Sequence, residues 1–370
     1  MSVLKDLDKF AELIIDYCIG VREKDEVMVS ATVESMELVR EVYKGIVSRG
    51  GLPHLRITSD VFSELFYRYA PKSLLEYVSP IEKFVMENID AVISIMSPQH
   101  VKPLAGVDPE RLAIAARARG ELSEIFMKRH AEGSLRWVLT AYPTYSMAQE
   151  AGMGLIELEE FMHRALKLYA EDPASAWREQ ARYQDRIASL LSRVSELRYV
   201  GEGIDLYINV EGRRWINDDG KNNMPGGEVF TGPHEDSAEG YIEFDYPAIW
   251  RGIEFGRIKL VFKRGEVVEA HSEKAGEHLE KLLSTDEGSR RIGELAFGLN
   301  YDITRQLKNI LFDEKIGGTM HIALGASYPD TGGRNKSSIH FDIIKGLGKA
   351  KVYGDGDLIY ENGRFLLEVA

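Results

Sequence analysis

Six residues in the second half of this 370-residue chain have the types and settings to hold metal ions. His340 and Asp342 form an HxD pair in SSIHFDII, which reads as a strand, and strand period two sets both side chains on one face. His321 lies in GTMHIALG, flanked by Met320 and Ile322, where a buried imidazole needs partners for its ring nitrogens and a metal ion would be one. Three glutamates precede them: Glu228 in NNMPGGEVF, Glu294 in RIGELAFGLN and Glu314 in LFDEKIGG. Pro225, Gly226 and Gly227 make a turn that lets backbone approach closely and deliver the Glu228 carboxylate ahead of the apolar Val229 and Phe230. Glu314, between Asp313 and Lys315, carries the weakest signal of the three. Carboxylates and imidazoles without thiolates suit Zn²⁺, Co²⁺, Mn²⁺ or Mg²⁺, and five or six ligands exceed what one catalytic zinc uses. Two divalent ions, able to share a water and lower its pKa, are the simplest inference, and hydrolysis is the chemistry they serve.

The elements that must position these groups change character along the chain. Leu7, Phe10, Ala11, Ile14 and Cys18 continue an apolar stripe from Leu4 that predicts a helix ending at Gly20. Val27–Ala31 reads as a buried strand, Glu34–Ser48 as a helix stopped by Gly50 and Gly51, and Leu55–Thr58 as a further strand. The pattern returns with strand Ala91–Met96, a helix capped by Asp108 and Pro109 and stopped by Gly120, and strand Leu135–Thr140. Leu155–Tyr169 and Ala174–Leu197 read as helices bridging two domains. Beyond Tyr199, alternation at Ile204–Val210, a hairpin turning at Lys263–Gly265, and the turns at Gly354–Gly356 and Asn362–Gly363 predict antiparallel sheet. The expected fold class is an α/β N-terminal domain plus an α+β C-terminal catalytic domain with mainly antiparallel sheet, over residues 1–175 and 176–370.

Composition narrows the function. The chain is 44% hydrophobic and 28% charged, within the globular range, and its 46 basic against 59 acidic residues leave a net charge of −13. That charge opposes binding to nucleic acid or anionic lipid. The single cysteine, Cys18, forms no internal disulfide, and no stretch reaches the ~18 apolar residues of a membrane span, so a cytoplasmic protein is expected. His54, His100, His130, His163, His234, His271 and His278 have no ligand-spaced partners that stand out.

NNMPGGEVFTGP, the Glu294 segment, DEKIGGTMHIALGASYP and SSIHFD, in this order, resemble the motif series of the aminopeptidase T family, the thermophilic leucyl metallo-aminopeptidases. The resemblance implies a dinuclear site in the C-terminal domain, peptide substrates with a free N-terminus and a homodimer. Carried over residue by residue, it makes Glu228, Glu294, His321, His340 and Asp342 metal ligands, with Asp342 or Glu228 bridging, and matches Tyr328 in GASYP to the family's active-site tyrosine. Glu314 matches a glutamate of the family's site whose role as ligand, support for His321 or base stays open; Glu294 is the other candidate base. Gly226 stands where a threonine is common, ELAFGLN is less glycine-rich than usual, and Tyr328 to His340 is short, departures that bear on pocket shape. The competing readings are a dinuclear phosphoesterase, with Lys315, Arg334 or Lys336 facing phosphate, and a non-catalytic ligand-binding or assembly protein on the same fold. The latter has no dinucleotide fingerprint, because Gly346-Leu-Gly and Gly354-Asp-Gly do not join a strand to a helix.

Overall fold

A parallel sheet interleaved with helices in the first half and antiparallel sheets in the second divide the chain. The structure, a computed structural model, describes residues 5–366 and separates into two compact units. The first comprises Met1–Ala176 with Gly220–Pro225, and the second Trp177–Asp219 with Gly226–Ala370.

In the first unit β1 (Glu26–Thr32), β2 (Leu52–Thr58), β3 (Ala91–Met96) and β4 (Arg136–Ala141) pair in parallel in the order β2-β1-β3-β4. The two-residue strand Asn223–Met224 adds to β4, anchored by the Thr140 hydroxyl donating to Met224 O at 2.7 Å. Helix Met36–Ser48 crosses from β1 to β2, which makes the expected βαβ unit. Asp108 caps Pro109–Ala118 by accepting from Glu110 N. Gly120 does not end the helical run; it opens a second helix, Gly120–Ala131. A glycine stops a helix through a left-handed conformation, and Gly120, unlike Gly20 with φ 60°, does not adopt one. Helices Asp60–Tyr69, Lys72–Leu75 and Pro80–Asn88 fill the connection from β2 to β3. The first helix runs from Leu7, its predicted start at Leu4 lying outside the described residues, and continues as a π-helical segment to Ile19.

The helix predicted from Ala174 to Leu197 ends at Leu191. The Asp355 carboxylate accepts from Ser195 N and Glu196 N, so the chain there joins a sheet instead. That sheet contains β5 (Glu196–Gly201), β6 (Ile204–Asn209), β9 (Glu239–Glu243), β10 (Ile258–Lys263), β11 (Glu266–Ser272), β15 (Ala350–Gly354), β16 (Asp357–Glu361) and β17 (Arg364–Phe365). Its order is β11-β10-β9-β6-β5-β15-β16-β17, and every described pair is antiparallel. Arg264 and Gly265, both at positive φ, close the predicted hairpin.

A second antiparallel sheet carries the candidate residues. It is built from β7 (Ile216–Asp218), β8 (Glu228–Thr231), β12 (Ile292–Gly298), β13 (Thr319–Gly325) and β14 (His340–Gly346) in the order β14-β13-β12-β8-β7. Val229, Leu295, Phe297, Ile322, Leu324, Phe341 and Ile343 join one core with Tyr199, Leu206 and Ile242 of the larger sheet. Phe297 is its centre, with ring centroids 4.9 Å from Phe365, 5.7 Å from Tyr360 and 5.9 Å from Tyr199. Among the described residues no helix is long and apolar enough to cross a membrane.

Gly325 ends β13 with φ 110°, and a Cβ there would lie 2.2 Å from Ile339 O. Gly325→Ala is expected to destabilise the second unit by about 2 kcal/mol or more, because it combines a forbidden φ with a backbone clash. Denaturant unfolding checks this, and an unchanged midpoint would contradict the close approach.

Candidate metal centre

Strand register brings the six residues together. Glu294, Ala323 and Asp342 lie opposite one another across three strands, and Gly325 lies opposite His340. One step along, His321 faces Ala296, and beyond that Glu228 pairs with Gly298 and Asp218 with Glu228. Paired residues share a face and residues two apart return to it, so Asp218, Glu228, Glu294, His321, His340 and Asp342 all project from one side. The intervening positions on that side include Ala296, Gly298, Ala323 and Gly325, whose small size clears space between the functional groups. The opposite side holds the core.

Glu314 and Lys315 reach the site from outside the sheet, at the end of the short helix Ile310–Asp313. Asn309 caps this helix by accepting from Leu311 N, and the Asp313 carboxylate accepts from Leu307 N at 2.7 Å and Asn309 N at 2.9 Å. Burial pushes the Asp313 carboxyl up to about 7 despite those bonds. The loop is fixed by Asn300, whose N–H donates to Lys315 O and whose carbonyl accepts from Gly317 N. Asn300 in turn packs so closely on Gly227 that a Cβ there would fall 2.5 Å from Asn300 Cβ. This explains the glycine before Glu228: it has φ 121° and admits the backbone that carries the loop.

The groups form two triads, Glu228–Glu314–His321 and Glu294–His340–Asp342, each offering ligand atoms within 4.8 Å of one another. His321 Nε2 is 3.3 Å from Glu228 Oε2 and 3.4 Å from Glu294 Oε1, while Glu294 Oε2 is 3.2 Å from His340 Nε2. Glu294 thus stands between the two imidazoles. His340 Nε2 is also 3.5 Å from Asp342 Oδ1, and its Nδ1 bonds Ala326 O at 2.9 Å, which directs Nε2 to the site. Tyr328 packs its ring 5.2 Å from His340 and 5.6 Å from Phe230. Burial is graded, from His321 and Lys315 at 0% side-chain exposure to His340 at 27%. The His340–Tyr328 end is where another molecule can enter.

These residues fit a divalent ion. His321 is wholly buried with neither ring nitrogen hydrogen-bonded, and Glu228 Oε2 likewise has no hydrogen-bond donor. Buried polar atoms without partners are costly, and a cation placed among them removes that cost. Burial lifts the Glu228 carboxyl well above its ordinary value. Burial opposes charge on Glu294 as well, but His321 and His340 outweigh it and hold this carboxyl down near 2. Burial also opposes protonation of the imidazoles, yet Glu294 with Glu228 raises His321 to about 9, and Asp342 with Glu294 raises His340 to about 11.

Two supporting features lay outside the reading from sequence. Asp218, on the edge strand beside Glu228, and Gln184 could not be singled out, because only the register places them. Gln184 is fully buried and its Nε2 donates to Asp218 O, Glu228 O and Asn217 Oδ1, fastening β7 to β8. Asp286 accepts from the Ser289 and Ser337 hydroxyls and from the N–H and hydroxyl of Ser338, which fixes the segment leading into His340. Of the histidines set aside, His163 pairs with Asp6 at 2.8 Å and His54 contacts Glu26. Lys315, considered as a phosphate contact, is instead enclosed by Asp218, Glu228 and Glu314.

A fold of this kind with a buried carboxylate–imidazole cluster defines a metal-dependent hydrolase. The profile of the thermophilic metalloprotease family M29 matches residues 3–365, and the chain belongs to that family. It is 28% identical to Aminopeptidase T of Thermus thermophilus, over 97% of this chain and 96% of that one, and 27% identical to Aminopeptidase 2 of Geobacillus stearothermophilus, over 99% of each. The solved structure of wild-type AmpT from Thermus thermophilus superposes with a TM-score of 0.86 at 26% identity, covering 98% of this chain and 99% of that one.

Three expectations follow from the site. Imidazoles must lose their protons to bind metal, so loading the metal-free protein at pH 7 should release protons, at least those of the two imidazoles, measurable by calorimetry in buffers of different ionisation enthalpy. Zero release would contradict the raised values. The same imidazolium–carboxylate pairs stabilise the metal-free protein fully below the unfolded value of ~6.5, and this contribution is lost as pH rises through about 9 and then about 11. Asp286→Ala should cost about 1–2 kcal/mol and weaken metal binding through His340; unaltered metal affinity would show that the serine clamp does not position that ligand.

Proposed function

We propose the following chemistry for this metalloprotease-family chain. It is a metal-dependent aminopeptidase that hydrolyses the first peptide bond of substrates with a free N-terminus, and it works with two divalent ions drawn from Zn²⁺, Co²⁺, Mn²⁺ and Mg²⁺. Glu228, Glu294, His321, His340 and Asp342 would hold the ions, Glu294 standing between the two imidazoles. When bound, such ions polarise the scissile carbonyl and lower the pKa of water to within reach of a side-chain base. The observation that carries this reading is the convergence of these residues on one sheet face around His321, a buried imidazole with no hydrogen bond to either nitrogen.

The remaining groups manage protons and charge. Burial, against the pull of Lys315, raises the Glu314 carboxyl above its ordinary value, which suits a base. Lys315 holds Glu314 Oε1, so Oε2 is the oxygen that takes the proton from water and returns it to the leaving amine. Burial and the surrounding carboxylates keep the Tyr328 hydroxyl protonated far above neutral pH, so it can donate to the developing oxyanion. The acidic surroundings also suit a substrate whose N-terminus is cationic. A phosphoesterase would need free positive charge here, and Lys315, the lysine buried beside the cluster, is surrounded by carboxylates. The reading takes the protein as a cytoplasmic homodimer; exposed Phe62, Tyr69, Ile81 and Phe84 of the first unit offer apolar surface for assembly.

Aminoacyl-p-nitroanilide hydrolysis should vanish on chelation and return with Zn²⁺ or Co²⁺; turnover by fully metal-free protein would refute the mechanism. Tyr328→Phe should lower kcat by ~10²-fold with KM little changed. Glu314→Gln should lower kcat at least as much while metal content stays at wild-type level, whereas loss of an ion would make Glu314 a ligand and not the base.

A further inference from the structure

Two buried charges beside the site, Lys315 and Asp218, bear on the metal positions themselves. Lys315 is wholly buried; its Nζ lies 3.3 Å from Glu228 Oε1 and 3.4 Å from Asp218 Oδ2, and it contacts Glu314 Oε1 directly. Asp218, paired in register with Glu228, is the third carboxylate around this ammonium. A lysine is rarely buried unless paired, and here its partners include a carboxylate that an ion also requires. The other triad is built differently. Glu294 and Asp342 have imidazole neighbours, and among the described residues no lysine or arginine forms an ion pair with either. A fixed positive charge therefore sits against one metal position and not the other. Charges a few ångström apart in a buried site interact several-fold more strongly than in water, so the ammonium and a divalent ion repel appreciably.

We propose that Lys315 is a resident third cation of the centre, which competes with metal for Glu228 and makes the two positions unequal. An ion at Glu294, His340 and Asp342 is held tightly, and an ion at Glu228 and His321 at least ~10-fold more weakly. Asp218 partly offsets the ammonium, so it favours the weaker position without binding metal itself. The inference rests on the two-ion reading above and extends it to the order in which the positions fill: the protein carries one ion firmly and exchanges the other.

The test uses the full chain stripped of metal and titrated with Mn²⁺, followed by calorimetry and by equilibrium dialysis with elemental analysis. Wild type should take up two ions with dissociation constants at least ~10-fold apart. Lys315→Met, which keeps length and removes charge, should tighten the weaker constant by ~10-fold or more and leave the tighter one within about threefold. Lys315→Arg should preserve the separation. Asp218→Asn should loosen the weaker position by a further several-fold. A lysine that merely props the loop predicts the opposite, since its removal would loosen binding. The proposal is overturned by two equal constants in wild type, or by a folded Lys315→Met protein whose weaker constant is unchanged or loosened. Should Lys315→Met fail to fold, Asp218→Asn decides: loosening of the weaker position supports the proposal, and an unchanged or tightened one overturns it. Absence of Mn²⁺ uptake in wild type would remove the metal-centre reading itself, a result distinct from two equal sites.

Discussion

One constraint governs the second unit: a single sheet must be hydrophobic on one face and highly charged on the other, while both faces are largely shielded from water. The hydrophobic face is ordinary, with Phe297, Leu295, Ile322 and Phe341 in a shared core. The charged face is tolerable only because its groups lie within reach of one another. Glu294 between two imidazoles and Lys315 among three carboxylates are the two ways the chain keeps buried charge compensated. A cation brought to His321 and Glu228 Oε2 completes what side chains alone leave unsatisfied.

Register is the means by which this is done. Five short strands contribute one or two groups each, and antiparallel pairing converts separations of many tens of residues into neighbouring positions. Ala296 and Ala323 matter as much as the charged residues, since a larger side chain at either would fill the space between Glu294, His321 and Asp342. A slip of one residue in any strand would turn its ligand into the core and a core residue into the site, so the hydrophobic face enforces the chemistry of the other. Gly227 and Gly325 serve the same end, admitting the Asn300 loop and the Ile339 backbone where a Cβ would collide.

Chemical roles divide by depth. The deepest groups, Lys315 and His321, are inaccessible and set the charge of the interior, while His340, Asp342 and Tyr328 stand at the more accessible end. Glu314 sits between these regimes, held by one oxygen and available by the other. The family relationship agrees with this arrangement through a fold match that spans nearly the whole chain despite 26% identity.

Alternation, glycine stops and Asp-Pro starts suffice to read β1, β3, the helix from Pro109 and the antiparallel character of the second half, because these signals are local. The HxD pair was legible for the same reason, since period two acts within one strand. The helix overrun at Leu191 and the misplaced stop at Gly120 show where residue type alone fails: capture by a sheet depends on contacts distant in sequence, and a glycine stops a helix only where its φ turns positive. So too with the site. The residue types were present in the sequence, and a metal chemistry followed from them. That Glu294 lies between the histidines, that Asp218 and Gln184 support Glu228, and that Lys315 turns inward to three carboxylates depend on strand register, which no single segment specifies because pairing energy belongs to both strands at once.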